Sequence, residues 1–388
     1  MTFFLETVTS GLLAGVMYSL VALGFVLIFK ASGMFNFAQG VLALFAGLTL
    51  HGLMSGTVPF IHGRDAPLAV HVWGLIFAAI TALLLAVIVL RWLWSRASPG
   101  FELRLATGVL ALLAVAFAFI DYAQGRIDFL TIKETEQGLP AVLAIPTTIL
   151  VMIVLAYLWE RFVMRHMINQ ADIILFMSTL GLAYILEGFG DMFWGSDVKV
   201  LQLGLPSGAS DFMLDKFNFY VDKLEIFAGV VAVVLVTSLA LFFNKTRIGR
   251  ALRAVADDHQ AAMSVGISLR TIWVIVWSVA GIVALVAGIM WGAKSGIQSS
   301  LALIALKALP VLILGGFTSI PGAIIGGLII GVGEKLFEIY TGGILNAAFG
   351  WDPGIFKAME NWFAFMLALV FLLFRPQGLF GEKIIERI

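Results

Sequence analysis

The sequence predicts an all-α polytopic membrane protein, and its composition and its periodic apolar runs both support this. Hydrophobic residues make up 61% of the 388 residues and charged residues only 12%, which lies far outside the composition of soluble domains. Apolar runs long enough to cross about 30 Å of hydrocarbon recur along the whole chain. We therefore expect one transmembrane domain over residues 1–388, with about nine to eleven transmembrane helices.

The apolar runs locate the individual spans. The interval 298–333 is apolar throughout but is broken by Gly315, Gly316 and the pair Pro321–Gly322. It forms either two full spans or a re-entrant pair of half-helices, and both alternatives cross the membrane an even number of times. The continuous runs cover residues 8–29, 34–54, 70–94, 104–120, 139–160, 172–194, 223–243, 271–292 and 357–374.

The basic residues predict the orientation, because Lys and Arg close to membrane spans mark the cytoplasmic side. Basic clusters lie around Arg91, around Arg161, within residues 244–270 and after Arg375. When the spans alternate in direction, all of these clusters fall inside the cell. The same alternation predicts a periplasmic N-terminus and a cytoplasmic C-terminus.

Residues 244–270, called the connector below, form a long polar segment between two apolar runs. Five cations face two anions there, which also favours the cytoplasmic side. Ile248, Leu252 and Val255 recur at helical spacing, and Gly266 suits a left-handed helix end. The pattern predicts a short amphipathic helix that can press into a groove on a cytoplasmic partner. A solvated helical loop, or a helix lying on lipid headgroups, remains the alternative.

Glycine is abundant, and part of it follows a spacing typical of close helix packing. Gly11 and Gly15 are four residues apart in the first run, and Gly327 and Gly331 repeat that interval near the end. Small residues at this spacing allow helix backbones to approach closely in lipid. We expect these glycines to pack helices together, with a glycine-lined translocation path as the alternative.

A few polar side chains interrupt the apolar runs and are candidates for a translocation path. Placing a charge near the centre of a bilayer costs about 2.5 to 3.5 kcal/mol, so each such residue needs a reason. Uncharged groups can pass a small polar solute along or can tie helices together, and charged groups can pair within the protein. The candidates are Asn36, Gln39, Ser178, Thr179, Glu187 and Lys307.

The chemistry that the sequence lacks excludes several classes of protein. No nucleotide-binding or hydrolase motif is present, no cysteine occurs, and the five histidines show no ligand spacing. We therefore expect no enzyme activity, no cofactor and no metal site in this chain. The net charge of zero gives no basic surface for nucleic acid. An ion-coupled secondary transporter stays open as an alternative, although no chain of intramembrane carboxylates supports it.

Several motifs together resemble the permease subunits of bacterial ABC importers for branched-chain amino acids. TRIGRALRAVADDHQAAMSVGISL resembles the cytoplasmic coupling motif of that family, and LKALPVLILGGFTSIPGAIIGGLIIGVGE and LLFRPQGLFGEK agree with it. The resemblance covers roughly residues 8–52 and 159–382. A chain that begins at the first span, with NFAQG close behind, is more similar to the H-type subunit than to the M-type.

The resemblance implies a multisubunit importer in the bacterial inner membrane. Its further parts would be a second permease (an M-type partner, or a second copy), two cytoplasmic ATPase subunits that bind ATP and Mg²⁺, and a periplasmic binding protein. A coupling helix over Arg250–Val265 would sit in the ATPase groove. The residues implied in that contact are Arg250, Arg253, Ala254, Asp257, Asp258, Ala261 and Gly266.

Residues 55–138 depart from the family pattern. This region is longer than usual and contains a possible extra span, so we expect an atypical insertion within the permease domain. Glu187 also stands where an uncharged polar residue is expected. Relatives in the family carry urea, amides or aromatic acids, which remain alternatives to a branched-chain amino acid.

Overall fold

The computed structural model describes residues 2–55, 139–167, 170–257, 259–350 and 360–381. Regular structure in these ranges is helical, apart from two isolated β-bridges, so the predicted all-α class is confirmed. The chain divides into two compact units, residues 1–51 with 140–388 and residues 52–139. The spans predicted at 70–94 and 104–120 lie outside the described residues, as does nearly all of the insertion predicted at 55–138.

The described helices follow the predicted apolar runs closely. Between the spans lie a short helix in a loop, two connector helices and a helix after the broken pair. In chain order they are α1 Thr2–Ser32, α2 Gln39–Ser55, α3 Ala141–Phe162, α4 Asp172–Trp194, α5 Asp211–Phe217, α6 Lys223–Lys245, α7 Arg247–Asp257, α8 His259–Ser264, α9 Leu269–Ser295, α10 Ile304–Gly315, α11 Ile320–Leu336, α12 Gly342–Phe349 and α13 Glu360–Phe374.

Six helices in the described part of the chain are long and apolar enough to cross a membrane, and three shorter apolar helices accompany them. These helices confirm a multi-pass membrane protein. The predicted start of the second span at residue 34 is wrong, because α2 begins only at Gln39. Gly33 takes a left-handed backbone conformation (φ 70°) that ends α1, and an irregular segment follows it.

The core is built around α1, which packs antiparallel against α11 and also contacts α9. A side chain at Gly11 would place its Cβ 2.7 Å from the Cα of Val332, and one at Gly15 would overlap the carbonyl oxygen of Gly327. The backbones of α1 and α11 therefore touch along this stripe. This contact confirms that the glycine spacing serves close helix packing.

The broken interval 298–333 forms a short helix followed by a longer one. A 3₁₀ turn at Ser299–Leu303 leads into α10, whose 12 residues extend about 18 Å and so cannot cross the hydrocarbon alone. Gly316 (φ 102°) turns the chain into α11. The predicted break is present, and its first helix is a half-helix.

Side-chain contacts define the two ends of the helix bundle. At one end, called the N-terminal end, the Tyr220 amide donates to the Glu6 carboxylate over 3.3 Å, and Lys294 donates to Glu225 over 2.7 Å. These contacts place the starts of α1 and α6 beside the end of α9. The opposite end, called the connector end, holds the end of α6 and the connector helices α7 and α8, and α7 packs against α1, α6 and α9.

Replacing Gly15 by alanine is expected to lower the free energy of unfolding by about 1–3 kcal/mol, because the new methyl group overlaps the α11 backbone. Thermal unfolding of the purified chain in detergent measures this change. Gly181→Ala is the matched control, since no atom in the described part of the chain lies within 4 Å of a Cβ built there. Equal melting temperatures for both variants would contradict the close contact between α1 and α11.

Candidate functional site

The irregular segment between α1 and α2 is held by a buried network of polar side chains. Asn36, Gln39 and Thr179 are all fully buried. The Asn36 amide oxygen accepts from the Ala38 N–H over 3.0 Å, and its amide nitrogen donates to the Gln39 side-chain oxygen over 3.2 Å. The Phe37 N–H donates to the Thr179 hydroxyl over 3.0 Å. The network supplies partners for backbone groups that helical geometry leaves unpaired.

The four uncharged candidates for a translocation path form hydrogen bonds within the helix bundle in this conformation. Asn36, Gln39 and Thr179 tie α1, α2 and α4 together, and Gln39 also donates to the Ala280 carbonyl of α9 over 3.4 Å. Ser178 donates to the Leu175 carbonyl of its own helix over 2.6 Å. In this conformation all four support the helices that surround a cavity, and none is among the residues that line it.

The cavity has a volume of about 450 Å³ and lies between α2, α4 and the start of α10. That volume is within the range of small-molecule sites, about 300–1,000 Å³. Its walls are mainly apolar, with a few polar groups on α4 and the 3₁₀ turn. The lining residues are Phe37, Val41, Ala183, Tyr184, Glu187, Ser299, Ser300, Ala302, Leu303, Ala305 and Leu306.

The polar groups of the cavity lie toward the N-terminal end of the bundle. The Ser299 hydroxyl donates to the Asp191 carboxylate over 3.5 Å, and Asp191 follows Glu187 by one helical turn. In the segment that follows α4, Lys199 forms an isolated antiparallel β-bridge with Ile297 through two backbone hydrogen bonds. Phe37 lies at the other, apolar part of the cavity. The cavity is therefore amphipathic along the direction of the bundle.

A cluster of six phenylalanine rings, called the phenylalanine cluster, separates the cavity from the connector end. Phe37 lines the cavity and contacts Phe176, with ring centroids 6.1 Å apart. Phe35 contacts Phe176 at 6.2 Å and Phe317 at 6.4 Å. Two further contacts at 5.0 and 5.3 Å complete the cluster, which consists of Phe25, Phe29, Phe35, Phe37, Phe176 and Phe317.

The two charged path candidates face different surroundings. Glu187 lines the cavity, as a path residue would. The Lys307 ammonium lies 5.6 Å from the ring centroid of Tyr18 on α1, in cation–π geometry, and Lys307 is not among the lining residues. Lys307 therefore stabilises the contact of α10 with α1 in this conformation.

The loop at the N-terminal end carries its own electrostatic contacts. Lys223 donates to the Asp211 carboxylate over 2.8 Å, and this hydrogen bond and charge hold the pKa of Asp211 below its ordinary value. The Asp211 side chain is 81% exposed, so the pair lies at the surface of this loop. Among the described residues, no group of three or more His, Cys, Asp or Glu side chains is placed to hold a metal ion.

The connector forms the helix that its pattern predicts, as two pieces, α7 and α8. Leu252, Val255 and Ala262 are buried on the side that packs against the bundle. Ile248 and Met263 are each 40% exposed, so the predicted apolar stripe is buried only in its central part. The residues implied in ATPase contact differ in their exposure. Arg250, Arg253 and Ala261 are exposed, and Ala254 is half-buried. Asp257 is the last residue of α7, Gly266 has a left-handed backbone conformation (φ 86°) after α8, and Asp258 lies outside the described residues.

The connector is fixed to the bundle by a feature that the periodicity did not predict. The Thr246 hydroxyl accepts from the Gly249 N–H over 2.9 Å and so caps α7. A Cβ at Gly249 would overlap the carbonyl oxygens of Phe242 and Phe243 at the end of α6. The start of α7 therefore touches the backbone at the end of α6 directly. The sequence TRIG holds the signal for this contact, a capping threonine three residues before a glycine.

Other site residues also went unpredicted. Tyr184, Ser299 and Ser300 line the cavity, and Phe35 and Phe37 anchor the phenylalanine cluster. Tyr184 lies one turn before Glu187 on the same helix face, which spacing alone could have shown. The serines follow Gly296, whose positive φ of 79° ends α9, and a polar break after a long apolar run is the signal there.

One protein-family model, described as branched-chain amino acid transport system / permease component, matches residues 100–374. The chain belongs to this family. It is a multi-pass inner-membrane permease of an ABC importer, a transport subunit and not an enzyme. The permease functions in a system that contains further subunits.

Relatives agree with this assignment. LivH of Salmonella typhimurium, a high-affinity branched-chain amino acid transport system permease protein, is 27% identical over 250 residues, or 61% of this chain and 74% of LivH. BraD of Pseudomonas aeruginosa, described in the same words, is 29% identical over 248 residues, 63% of this chain and 76% of BraD. The predicted likeness to the H-type subunit is thereby confirmed. No solved structure matches the permease.

Replacing Thr179 by valine is expected to leave the Phe37 N–H without an acceptor, at a cost of about 1–3 kcal/mol. We expect faster amide hydrogen exchange in the peptide that contains residues 34–40. Ser178→Ala is the matched control, because within the described residues that hydroxyl donates to the Leu175 carbonyl of its own helix turn. Unchanged exchange in Thr179→Val would show that other contacts hold the segment.

Proposed function

We propose that the permease carries branched-chain amino acids into the cell, driven by ATP hydrolysis on two separate cytoplasmic subunits. A periplasmic binding protein delivers the solute to the N-terminal end, which is periplasmic, and the connector end is cytoplasmic. The observation that carries the proposal is the connector, an exposed basic helix fixed directly to the transmembrane bundle. The printed names of LivH and BraD support the solute class.

The solute path leads through the cavity and past the phenylalanine cluster. The polar part of the cavity lies toward the N-terminal end, and the phenylalanine cluster lies between the cavity and the connector end, which supports this route. Alternating access requires that the cluster separates when the cavity closes on the periplasmic side. Phe37 belongs to both the cavity and the cluster, so it links the solute to the cytoplasmic gate.

A second permease completes the path on the open side of the cavity. Tyr184 is 74% exposed, and no atom of the described residues lies within 4 Å of a Cβ built at Gly181 or Gly188 on the same helix. A neighbouring helix can approach α4 closely at such glycines. An M-type subunit or a second copy of this chain would occupy that face and close the cavity.

The connector transmits the motion of the ATPase. Exposed Arg250 and Arg253 meet the ATPase surface, while buried Leu252 and Val255 hold α7 against the bundle. The direct contact of Gly249 with the end of α6 converts a shift of α7 into a tilt of a transmembrane helix. ATP and Mg²⁺ bind on the ATPase, and this chain contributes only the contact.

Arg253→Glu is expected to lower co-purification of the ATPase about tenfold or more, because reversing a charge in an interface costs several kcal/mol. Insertion and thermal stability of the permease should not change, since the Arg253 side chain is exposed and donates to the Asn244 side-chain oxygen over 3.2 Å, a single contact between neighbouring surface residues within the described part of the chain. Pull-down of the ATPase by tagged permease measures the effect.

Lys216→Glu is the matched control, an exposed charge reversal in α5 at the opposite end of the bundle. Undiminished recovery of the ATPase with Arg253→Glu, together with normal substrate-stimulated hydrolysis, would contradict the coupling role. Uptake that persists after deletion of the ATPase gene would instead identify an ion-coupled secondary transporter.

A further inference from the structure

We propose that Glu187 binds the ammonium group of the transported solute, so that the cavity selects amino acids over neutral amides, urea and carboxylic acids that lack an amine. This inference rests on the proposed function, since it assumes that the cavity lies on the solute path. It assigns a specificity-determining residue within the permease itself, downstream of the binding protein.

The environment of Glu187 supports binding of a cation. Among the described residues that line the cavity, Glu187 is the one charged side chain. Within the described ranges, its carboxylate has no ion pair or hydrogen bond, although it lies inside a membrane-spanning helix. A carboxylate in such a place needs a counter-charge to offset its lost hydration. An ammonium group in the cavity supplies that charge.

The remaining walls match the other parts of an apolar amino acid. The hydroxyl groups of Tyr184 and Ser300 can donate to a solute carboxylate. Phe37, Val41, Leu303 and Leu306 offer an apolar surface for a hydrocarbon side chain. The polar side of the cavity therefore offers hydroxyl donors for a carboxylate and one carboxylate for an ammonium group, and the opposite wall is apolar. This combination suits a zwitterion with an apolar side chain.

The same charge acts against the other solute classes. An aromatic or aliphatic acid without an amine carries only a negative charge, which Glu187 repels at short distance. Urea and simple amides are neutral and leave the Glu187 carboxylate without a counter-charge. The loss of hydration at Glu187 then opposes their entry into the cavity.

Transport by the complete importer in proteoliposomes tests the inference. We expect Glu187→Gln to lower ATP-dependent leucine uptake about tenfold or more, because the amide keeps the shape but loses the charge pair. Recovery of the second permease and ATPase, and ATP hydrolysis stimulated by the binding protein, should stay at wild-type levels. Asp215→Asn, an exposed carboxylate change on α5, is the matched control and should transport normally.

Direct binding to the importer without its binding protein tests the chemistry. Saturation-transfer NMR should detect leucine on the wild type but not 4-methylpentanoate, which has the same hydrocarbon chain without the amine. Glu187→Gln should abolish this difference.

Three outcomes would overturn the inference, and they are distinguishable. Wild-type leucine uptake by Glu187→Gln would leave the proposed function intact and remove only the role of Glu187. Loss of the second permease from the purified complex would show that Glu187 pairs across the subunit contact. A wild-type importer that carries urea or acetamide but not leucine would overturn both the inference and the proposed function.

Discussion

The requirement that every buried backbone group finds a hydrogen-bond partner governs this fold most strongly between α1 and α2. There the chain leaves helical geometry inside a membrane protein, where water cannot satisfy it. Asn36 and Thr179 supply the missing partners, and Gln39 ties the start of α2 to α9. Gly24 makes room for this, because a Cβ at that position would overlap the Gln39 amide. The position of Phe35 and Phe37, and hence of the cavity wall, depends on this network.

A second break meets the first one and completes the site. Residues 296–303 turn back into the bundle after α9, with Ile297 fully buried and within 3.3 Å of the site of a Cβ at Gly47. The carbonyl of Ala302 lies where a Cβ of Gly40 would project. One break follows a helix that ends toward the connector end, and the other follows a helix that ends at the N-terminal end. Transporters commonly place their solute path between two such interrupted segments of opposite direction.

The sequence was sufficient for features with a repeating signal. Apolar length located the spans, the interval of four residues between Gly11 and Gly15 predicted close packing, and Gly266 marked the end of the connector helix. The sequence was not sufficient to predict which groups a single polar side chain contacts in the folded protein. Asn36 and Glu187 both interrupt apolar surroundings, yet one satisfies the backbone and the other lines a cavity. Asn36 bonds two and three residues ahead, but the cavity that Glu187 lines joins segments more than a hundred residues apart in the chain, which local periodicity does not contain.

The account depends on separation of Phe37 from Phe176 during transport, and the absence of cysteine from the chain makes this directly measurable. A double variant, Phe37→Cys with Phe176→Cys, places two thiols at positions whose native rings contact each other, and a bifunctional thiosulfonate reagent with a short spacer can bridge them. In the assembled importer, this bridge should abolish leucine uptake, and a reductant that cleaves it should restore uptake. Each single variant should transport in both states. Uptake at the same rate by the fully cross-linked and the reduced double variant would contradict a solute path past the phenylalanine cluster.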